Sequence, residues 1–230
     1  YIGNARTEDG QSTTLHGHHS NTPAAVEMLI NPDPARGRRE MLLSLSVRST
    51  RMFGPSYEVR RQIQCVLGEP VIHLYDQVIN RGNTRVVHNW LYHTNFGYPL
   101  LDSGARFIYR GKLTGHWDMP APPARPAPRP VIGRYKRVEN PIRQHAGAGE
   151  RGLLMDVRPD RAGNCHVGLI NRKLKLAVEL IYPLESFPRL ANWQHYGPAG
   201  SYVTGVEPFN GSLMGKENDD HPKACQWLEP

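Results

Sequence analysis

Long hydrophobic runs are missing from this chain. No apolar stretch approaches the ~20 residues that a membrane-spanning helix needs, and no signal-peptide pattern is visible, so no membrane partner is expected and a cytoplasmic setting is. Cysteine is scarce. Cys65, Cys165 and Cys225 are odd in number and far apart, with neither CxxC nor Cys/His ligand spacing. That excludes a disulfide framework and a cysteine-built metal centre, and a reducing compartment follows as the default. No long segment carries a 3.6-residue apolar period, so helix content should be low. Concentrated charge of one sign is also lacking. The formal net charge is +7, but its arginines (Arg36, Arg38, Arg39, Arg48, Arg51, Arg60, Arg61, Arg125, Arg129, Arg134 and Arg137) are scattered rather than gathered in a stripe. With no nucleic-acid-reading motif beside them, nucleic acid is not an expected partner. An acidic small molecule, such as a sugar acid or sugar phosphate, suits the charge better, and a merely solvated basic surface is the simplest account of it.

What the chain has is turn chemistry. Its 22 glycines and 20 prolines separate short apolar runs, the composition of a protein built from many strands and turns. Hydrophobic residues at 39% and charged residues at 21% are globular values. A length of 230 residues suffices for one substantial domain over 1–230. The chain opens on Tyr1-Ile2-Gly3 and closes on Gln226-Trp227-Leu228-Glu229-Pro230; further sequence is expected beyond both ends, above all before Tyr1.

Period-two alternation marks the strands. Between Tyr57 and Cys65, Tyr57, Val59, Ile63 and Cys65 share one face, while Glu58, Arg60, Gln62 and Gln64 share the other. Further strands are expected over 40–49, 71–79, 85–96, 105–109, 152–158, 165–171, 174–181 and 202–207. Asn80-Arg81-Gly82-Asn83 reads as a hairpin turn, and Asn171-Arg172-Lys173 as a tight turn between two strands. Met119 to Pro130 reads MPAPPARPAPRP. Proline supplies no backbone donor, so this run is an extended surface loop and not an interior strand. Many antiparallel strands must hide their edges, and a large all-β antiparallel sandwich is the fold expected.

Three polar clusters interrupt this pattern: Leu15-His16-Gly17-His18-His19-Ser20-Asn21-Thr22-Pro23, Leu91 to Asp102 (LYHTNFGYPLLD), and Gly205-Val206-Glu207-Pro208-Phe209-Asn210. In the first, His16 and His18 would share one side of an extended segment. That suits a metal site, but no third ligand is identifiable, and a polar loop is the favoured reading. In the second, His93 shares a strand face with Asn89, Leu91 and Asn95. Planar polar groups beside aromatics suit a sugar, which offers hydroxyls on its rim and C–H groups on its faces; a hydrogen-bonded structural histidine fits too. In the third, Glu207 ends an apolar strand, where partial desolvation would raise its pKa into the range of a general base. Trp193, Gln194 and His195 are read as a loop ahead of that strand, placed to line a pocket.

The order LHG, then YHTNFGYPLLD, then GVEPFN resembles the aldose 1-epimerase (galactose mutarotase-like) family, and in particular an uncharacterised subgroup of it. The resemblance spans about His16 to Glu207. It implies a galactose mutarotase-like supersandwich that interconverts the anomers of an aldose or aldose derivative, with a sugar, neutral or acidic, as partner and with neither metal nor organic cofactor. Residue by residue, it implies His16 as a sugar-holding group, His93 as general acid and Glu207 as general base. His18, Asn95, Asp102 and Trp193 are the further substrate-binding candidates. The subgroup carries Arg where His18 stands, and its substrate-binding aspartate has no clear counterpart here, since Asp118 and Asp156 match the chemistry as well as Asp102 does. A noncatalytic carbohydrate-binding protein is the alternative reading of the same pocket.

Overall fold

The computed structural model describes residues 2–3, 5–8, 11–120, 135–198, 200–213 and 226–230. Residues 121–130 of the Pro/Ala/Arg run, and Cys225, lie outside the described residues. The described elements are sixteen strands and three single-turn 3-10 helices, and every strand pairing is antiparallel. No helix among the described residues is long and apolar enough to cross a membrane. Cys65 and Cys165 are free thiols. The chain divides into two compact units, one formed by Tyr1–Asn89 with Gly211–Pro230, the other by Trp90–Asn210.

The first unit holds the hairpin β1 (Arg6–Glu8) and β2 (Gln11–Thr13), then β3 (Ala25–Ile30), β4 (Glu40–Thr50), β5 (Ser56–Val66) and β6 (Ile72–Asn80) in the order β3-β4-β5-β6. Its last pair is β7 (Val86–His88) with β16 (Gln226–Leu228). Register makes the four-stranded sheet two-faced. Leu29, Leu43, Ile63 and Leu74 lie in one cross-strand row, and Ser44, Gln62 and Tyr75 in the row beside it on the other face, because alternate side chains of a strand point opposite ways. The alternation expected over 57–65 is therefore present, with Arg61 on the apolar face. There it forms a bidentate pair with Asp76 across β6, at 2.7 and 2.6 Å. Glu58, 2% exposed, is gripped by Arg60 at 2.7 Å and Arg81 at 2.8 Å, with Arg48 at 3.6 Å. Its hydrogen bonds to Arg81 and Arg60 hold its pKa down at about 2.

The second unit is a two-sheet sandwich. One sheet orders β10 (Gly111–Met119), β11 (Glu150–Val157), β14 (Arg189–Tyr196), β15 (Tyr202–Phe209) and β8 (Thr94–Phe96) as β10-β11-β14-β15-β8. The other orders β13 (Leu176–Pro183), β12 (Asn164–Asn171) and β9 (Arg106–Tyr109) as β13-β12-β9. Leu153, Met155, Leu190, Tyr196 and Val206 from the first sheet pack into one cluster with Phe107, Tyr109, Val167, Leu169 and Tyr182 from the second. Each such side chain contributes about 1.5–3 kcal/mol of transfer free energy. Asn171 closes the β12–β13 turn as expected, its Oδ1 accepting the N–H groups of Lys173 and Leu174.

Three expectations are corrected. The single strand over 85–96 is two, β7 and β8, because its halves pair with different partners, β16 and β15. Between them the chain is held by Asn210, whose Oδ1 accepts the Trp90 N–H at 2.6 Å and whose N–H reaches the Trp90 carbonyl. Residues 80–83 do not make a hairpin, since β6 pairs with β5 and β7 with β16. Asn80 instead closes a local loop through the Thr84 carbonyl and the Gly82 N–H. Trp193, Gln194 and His195 belong to the interior strand β14 rather than a loop. Their polar side chains hide the strand from a hydropathy reading.

Candidate active site

The site grows from one row of residues across the five-stranded sheet. Trp117 of β10 faces Gly152 of β11, Gly152 faces Trp193 of β14, Trp193 faces Gly205 of β15, and Gly205 faces Asn95 of β8. All five project to the face away from the hydrophobic cluster, because Leu153, Asn192 and Val206, their chain neighbours, face the other way. The glycines alternate with large groups for a steric reason. A Cβ on Gly152 would collide with the Trp117 ring. One on Gly205 would collide with the Glu207 carboxylate and come within 3.1 Å of the His93 ring.

Glu207 lies two residues beyond Gly205, so it shares that face, and His93 lies two residues before Asn95. Nε2 of His93 stands 3.2 Å from Oε1 of Glu207. The alignment is not that of a hydrogen bond, and Oε1 is a buried acceptor without one. The carboxylate is 3% exposed. Burial, with the Glu150 carboxylate nearby as the smaller cause, pushes its pKa up to about 8. Burial lowers that of His93, against smaller raising effects from the Asn95 side chain, its own backbone and Glu150. The imidazole meets the Trp193 indole edge to face, with ring centroids 5.7 Å apart.

Glu150, at the start of β11, binds both indoles: Trp117 Nε1–H donates to its Oε1 at 3.0 Å and Trp193 Nε1–H to its Oε2 at 2.7 Å. The same face of β14 carries His195, whose Nε2 lies 2.8 Å from the Gly147 carbonyl, and Arg189, whose guanidinium covers the Phe209 ring at 4.9 Å. Sequence reasoning missed Glu150, Trp117 and the two glycines. Only register reveals the first two, since no motif surrounds them. Gly205 was legible in principle: period two puts it on the face of Glu207, where a missing side chain makes room.

Of the residues singled out from sequence, His93, Asn95, Trp193 and Glu207 come together. Asp102 does not join them. It sits in the turn after β8, where its Oδ1 accepts the Ser103 N–H and its charge acts on Tyr202, a residue of the opposite sheet face. His16 and His18 belong to the first unit. They lie in no extended segment. His16 has φ of 55° in a turn, its Nδ1 accepting the Gly3 N–H, and His18 precedes the 3-10 turn His19–Asn21. Among the described residues no group of three His, Cys, Asp or Glu is placed to hold a metal ion.

Crystal structures share this architecture. A candidate aldose 1-epimerase from Klebsiella pneumoniae superposes with a TM-score of 0.81 at 20% identity, covering 100% of this chain and 57% of that one. A galactose mutarotase-like protein from Clostridium acetobutylicum gives 0.65 at 13% identity, covering 98% of this chain and 71% of the other. A galactose mutarotase related enzyme from Lactobacillus acidophilus gives 0.57 at 16% identity, with 98% and 73% covered. The fold is therefore the galactose mutarotase-like β-sandwich, and this chain spans less than two thirds of the Klebsiella protein's length. No curated protein matches the sequence. The sequence model of a family described as a domain of unknown function, DUF4432, matches residues 1–230.

Proposed function

This chain belongs to the DUF4432 family, and from that premise we propose that it is a carbohydrate epimerase interconverting the anomers of an aldose or aldose derivative by general acid/base ring opening. The observation that carries the reading is His93 Nε2 at 3.2 Å from the buried, unbonded Oε1 of Glu207, with the indoles of Trp117 and Trp193 on the same sheet face. The mutarotase-like names of proteins sharing the fold support it.

In the forward step a base takes the proton of the anomeric hydroxyl while an acid protonates the ring oxygen. The C1–O5 bond breaks and its electrons leave with O5; the O1 lone pair forms the aldehyde. Rotation about C1–C2 and attack of O5 on the other carbonyl face complete the exchange. Glu207 serves as base and His93 as acid. Burial favours the opposite placement of the pair's single proton, on the carboxyl group; it reaches the imidazole only when the 3.2 Å contact realigns into a hydrogen bond. The competent form is thus the minor tautomer of a one-proton pair, and the rate follows the proton count of the pair rather than of either group.

That proton count sets the pH dependence. Below the lowered His93 value both groups are protonated and no base remains; above about 8 both are deprotonated and no acid remains. Exchange should rise through an acid limb below pH 6.5 and fall through an alkaline limb near pH 8. Glu207→Gln and His93→Ala should each cost about 10²-fold or more, and the double variant little beyond the worse single one, as residues acting as a unit do. The assay follows a freshly dissolved single anomer by polarimetry or NMR, with neutral and acidic sugars and no added metal. Rates untouched by both substitutions would remove the pair from the mechanism. Sugar binding without any acceleration would establish the noncatalytic reading instead.

A further inference from the structure

Behind the Glu207 strand, on the core face of the same sheet, runs a chain of buried polar side chains that the acid/base chemistry does not use. Arg151 of β11 donates from Nε to Oε1 of Gln194 at 2.9 Å. Gln194 donates from Nε2 to Oδ1 of Asn192 at 2.8 Å and to the Tyr135 carbonyl at 2.7 Å. Asn192 donates from Nδ2 to the Gly205 carbonyl at 2.8 Å and to Thr204 Oγ1 at 2.9 Å; Thr204 in turn donates to the Trp193 carbonyl at 2.7 Å. Gln194, Asn192 and Thr204 are no more than 1% exposed.

The direction of this chain is fixed at one end. A guanidinium can only donate. Arg151 therefore compels Gln194 to present its oxygen, which turns its amide N–H toward Asn192, which must accept and so turns its own N–H groups toward β15. Arg151 is itself anchored by Glu139 at 3.5 Å and by the rings of Tyr135 and Tyr196, 4.9 and 5.6 Å from its guanidinium carbon. The chain ends on the peptide of Gly205, the residue whose missing side chain gives the Glu207 carboxylate its room. Glycine is the least restrained residue of a strand, so the backbone that must hold the carboxylate most accurately has no side chain of its own to fix it.

We propose that Arg151, Gln194 and Asn192 form a positioning relay that clamps the Thr204–Gly205 backbone and thereby keeps Glu207 desolvated against His93. The relay rests on the proposed acid/base role of Glu207 for its use in turnover, but its physical action on Glu207 stands apart from it. His93 lies against Glu207 and Glu150 acts on it from β11; on the same face of β14, Arg189 covers the Phe209 ring and His195 reaches the Gly147 carbonyl, and the relay, on the opposite face, works through the backbone.

The decisive substitution is Gln194→Glu, nearly the same shape, which still accepts from Arg151 but no longer donates to Asn192. Arg151→Lys, which keeps a donor, is its conservative partner, and Thr204→Val provides a milder lesion should Gln194→Glu fold poorly. The readout is the titration of the Glu207 carboxyl in the full chain by ¹³C NMR, assigned with Glu207→Gln, alongside the kcat and KM of anomer exchange. Loosening the strand admits water to Oε1, so the midpoint should drop by at least one pH unit from about 8 in Gln194→Glu and by less in Thr204→Val. Arg151→Lys should retain most of the wild-type value. The fall in exchange should appear in kcat, roughly tenfold, with KM little changed. A lowered melting temperature with the Glu207 midpoint unmoved would overturn the relay and leave a structural network only. A shifted midpoint in a protein that exchanges no anomers would uphold the relay and refute the epimerase reading.

Discussion

Each unit of the molecule buries a glutamate, and the two are treated in opposite ways. Glu58 in the first unit is 2% exposed and Glu207 in the second is 3% exposed. Around Glu58 stand Arg48, Arg60 and Arg81, and its pKa is held at about 2. Around Glu207 stand a glycine, a neutral-leaning histidine and a second carboxylate, and its pKa is pushed to about 8. Both side chains are hidden from solvent, but desolvation is a lesser cause at Glu58 and the largest at Glu207, so the partner set and the depth of burial together decide the chemistry. A buried carboxylate given arginines stays ionised as a structural tie; one without them holds its proton to a higher pH.

The sharpest way to break this contrast is to fill the space beside Glu207. Gly205→Ala sets a Cβ against its carboxylate and the His93 ring, and should lower anomer exchange by about 10²-fold, with an overpacking cost of ~1–3 kcal/mol. A normal rate would mean that the pair tolerates displacement and that its geometry is not the source of activity.

Exchanging each carboxylate for its amide tests the contrast through stability. Glu207 has a raised folded-state value, so its ionisation opposes folding: stability falls as pH rises from 4.5 toward about 8. Glu207→Gln should raise the melting temperature by about 5 °C above pH 8 and by little near pH 4. Glu58 has a lowered value, so its contribution is present above 4.5 and is lost as pH falls through about 2. Glu58→Gln should lower the melting temperature at neutral pH, by less than the Glu207→Gln rise because its arginines are solvent-exposed, with the deficit closing in acid. Shifts of the same sign in both variants would show that burial, and not the partners, governs them.

The smallest effect belongs to an exposed counterpart. His166 on β12 bridges Glu179 at 3.0 Å and Asp160 at 3.1 Å. Its raised value owes most to Asp160, then Glu179. Stability from this bridge is full below 6.5 and is lost as pH rises through the folded value. Solvent screens it, and His166→Ala should move the melting temperature by no more than about 2 °C at pH 6. A larger shift would place exposed pairs on a par with the buried ones.

Much of this was legible in the chain. The strand over 57–65 is legible because a two-faced sheet needs period two, with Arg61 the exception on its apolar face, and 202–207 because it is a short apolar run. The residues alone mark His93 and Glu207 only weakly; the order of the three clusters, through its resemblance to the mutarotase-like family, singles them out. What escaped was whatever depends on register between distant strands. Glu150 follows a featureless Gly-Ala-Gly stretch, and only its two indole bonds reveal it. The strand Arg189–Tyr196 escaped because Asn192, Gln194 and His195 read as loop residues. Their cost of burial is met by partners on other strands, which no local pattern displays. Asp102 shows the converse: an acid next to a motif has one oxygen bound to the N–H of its own turn, which no sequence pattern displays.

The division of the chain carries a consequence for its biosynthesis. Trp90–Asn210 is one uninterrupted stretch set within the other unit's sequence, and its two ends are tied to each other by the paired bonds of Trp90 with Asn210. As the polypeptide leaves the ribosome, this stretch has all its described strands once Asn210 emerges. The unit that began first cannot be finished until β16 arrives, because β7 has its ladder partner there. The order of completion is thus inverted relative to the order of synthesis: the inserted sandwich can close while the earlier unit is still waiting for its last strand.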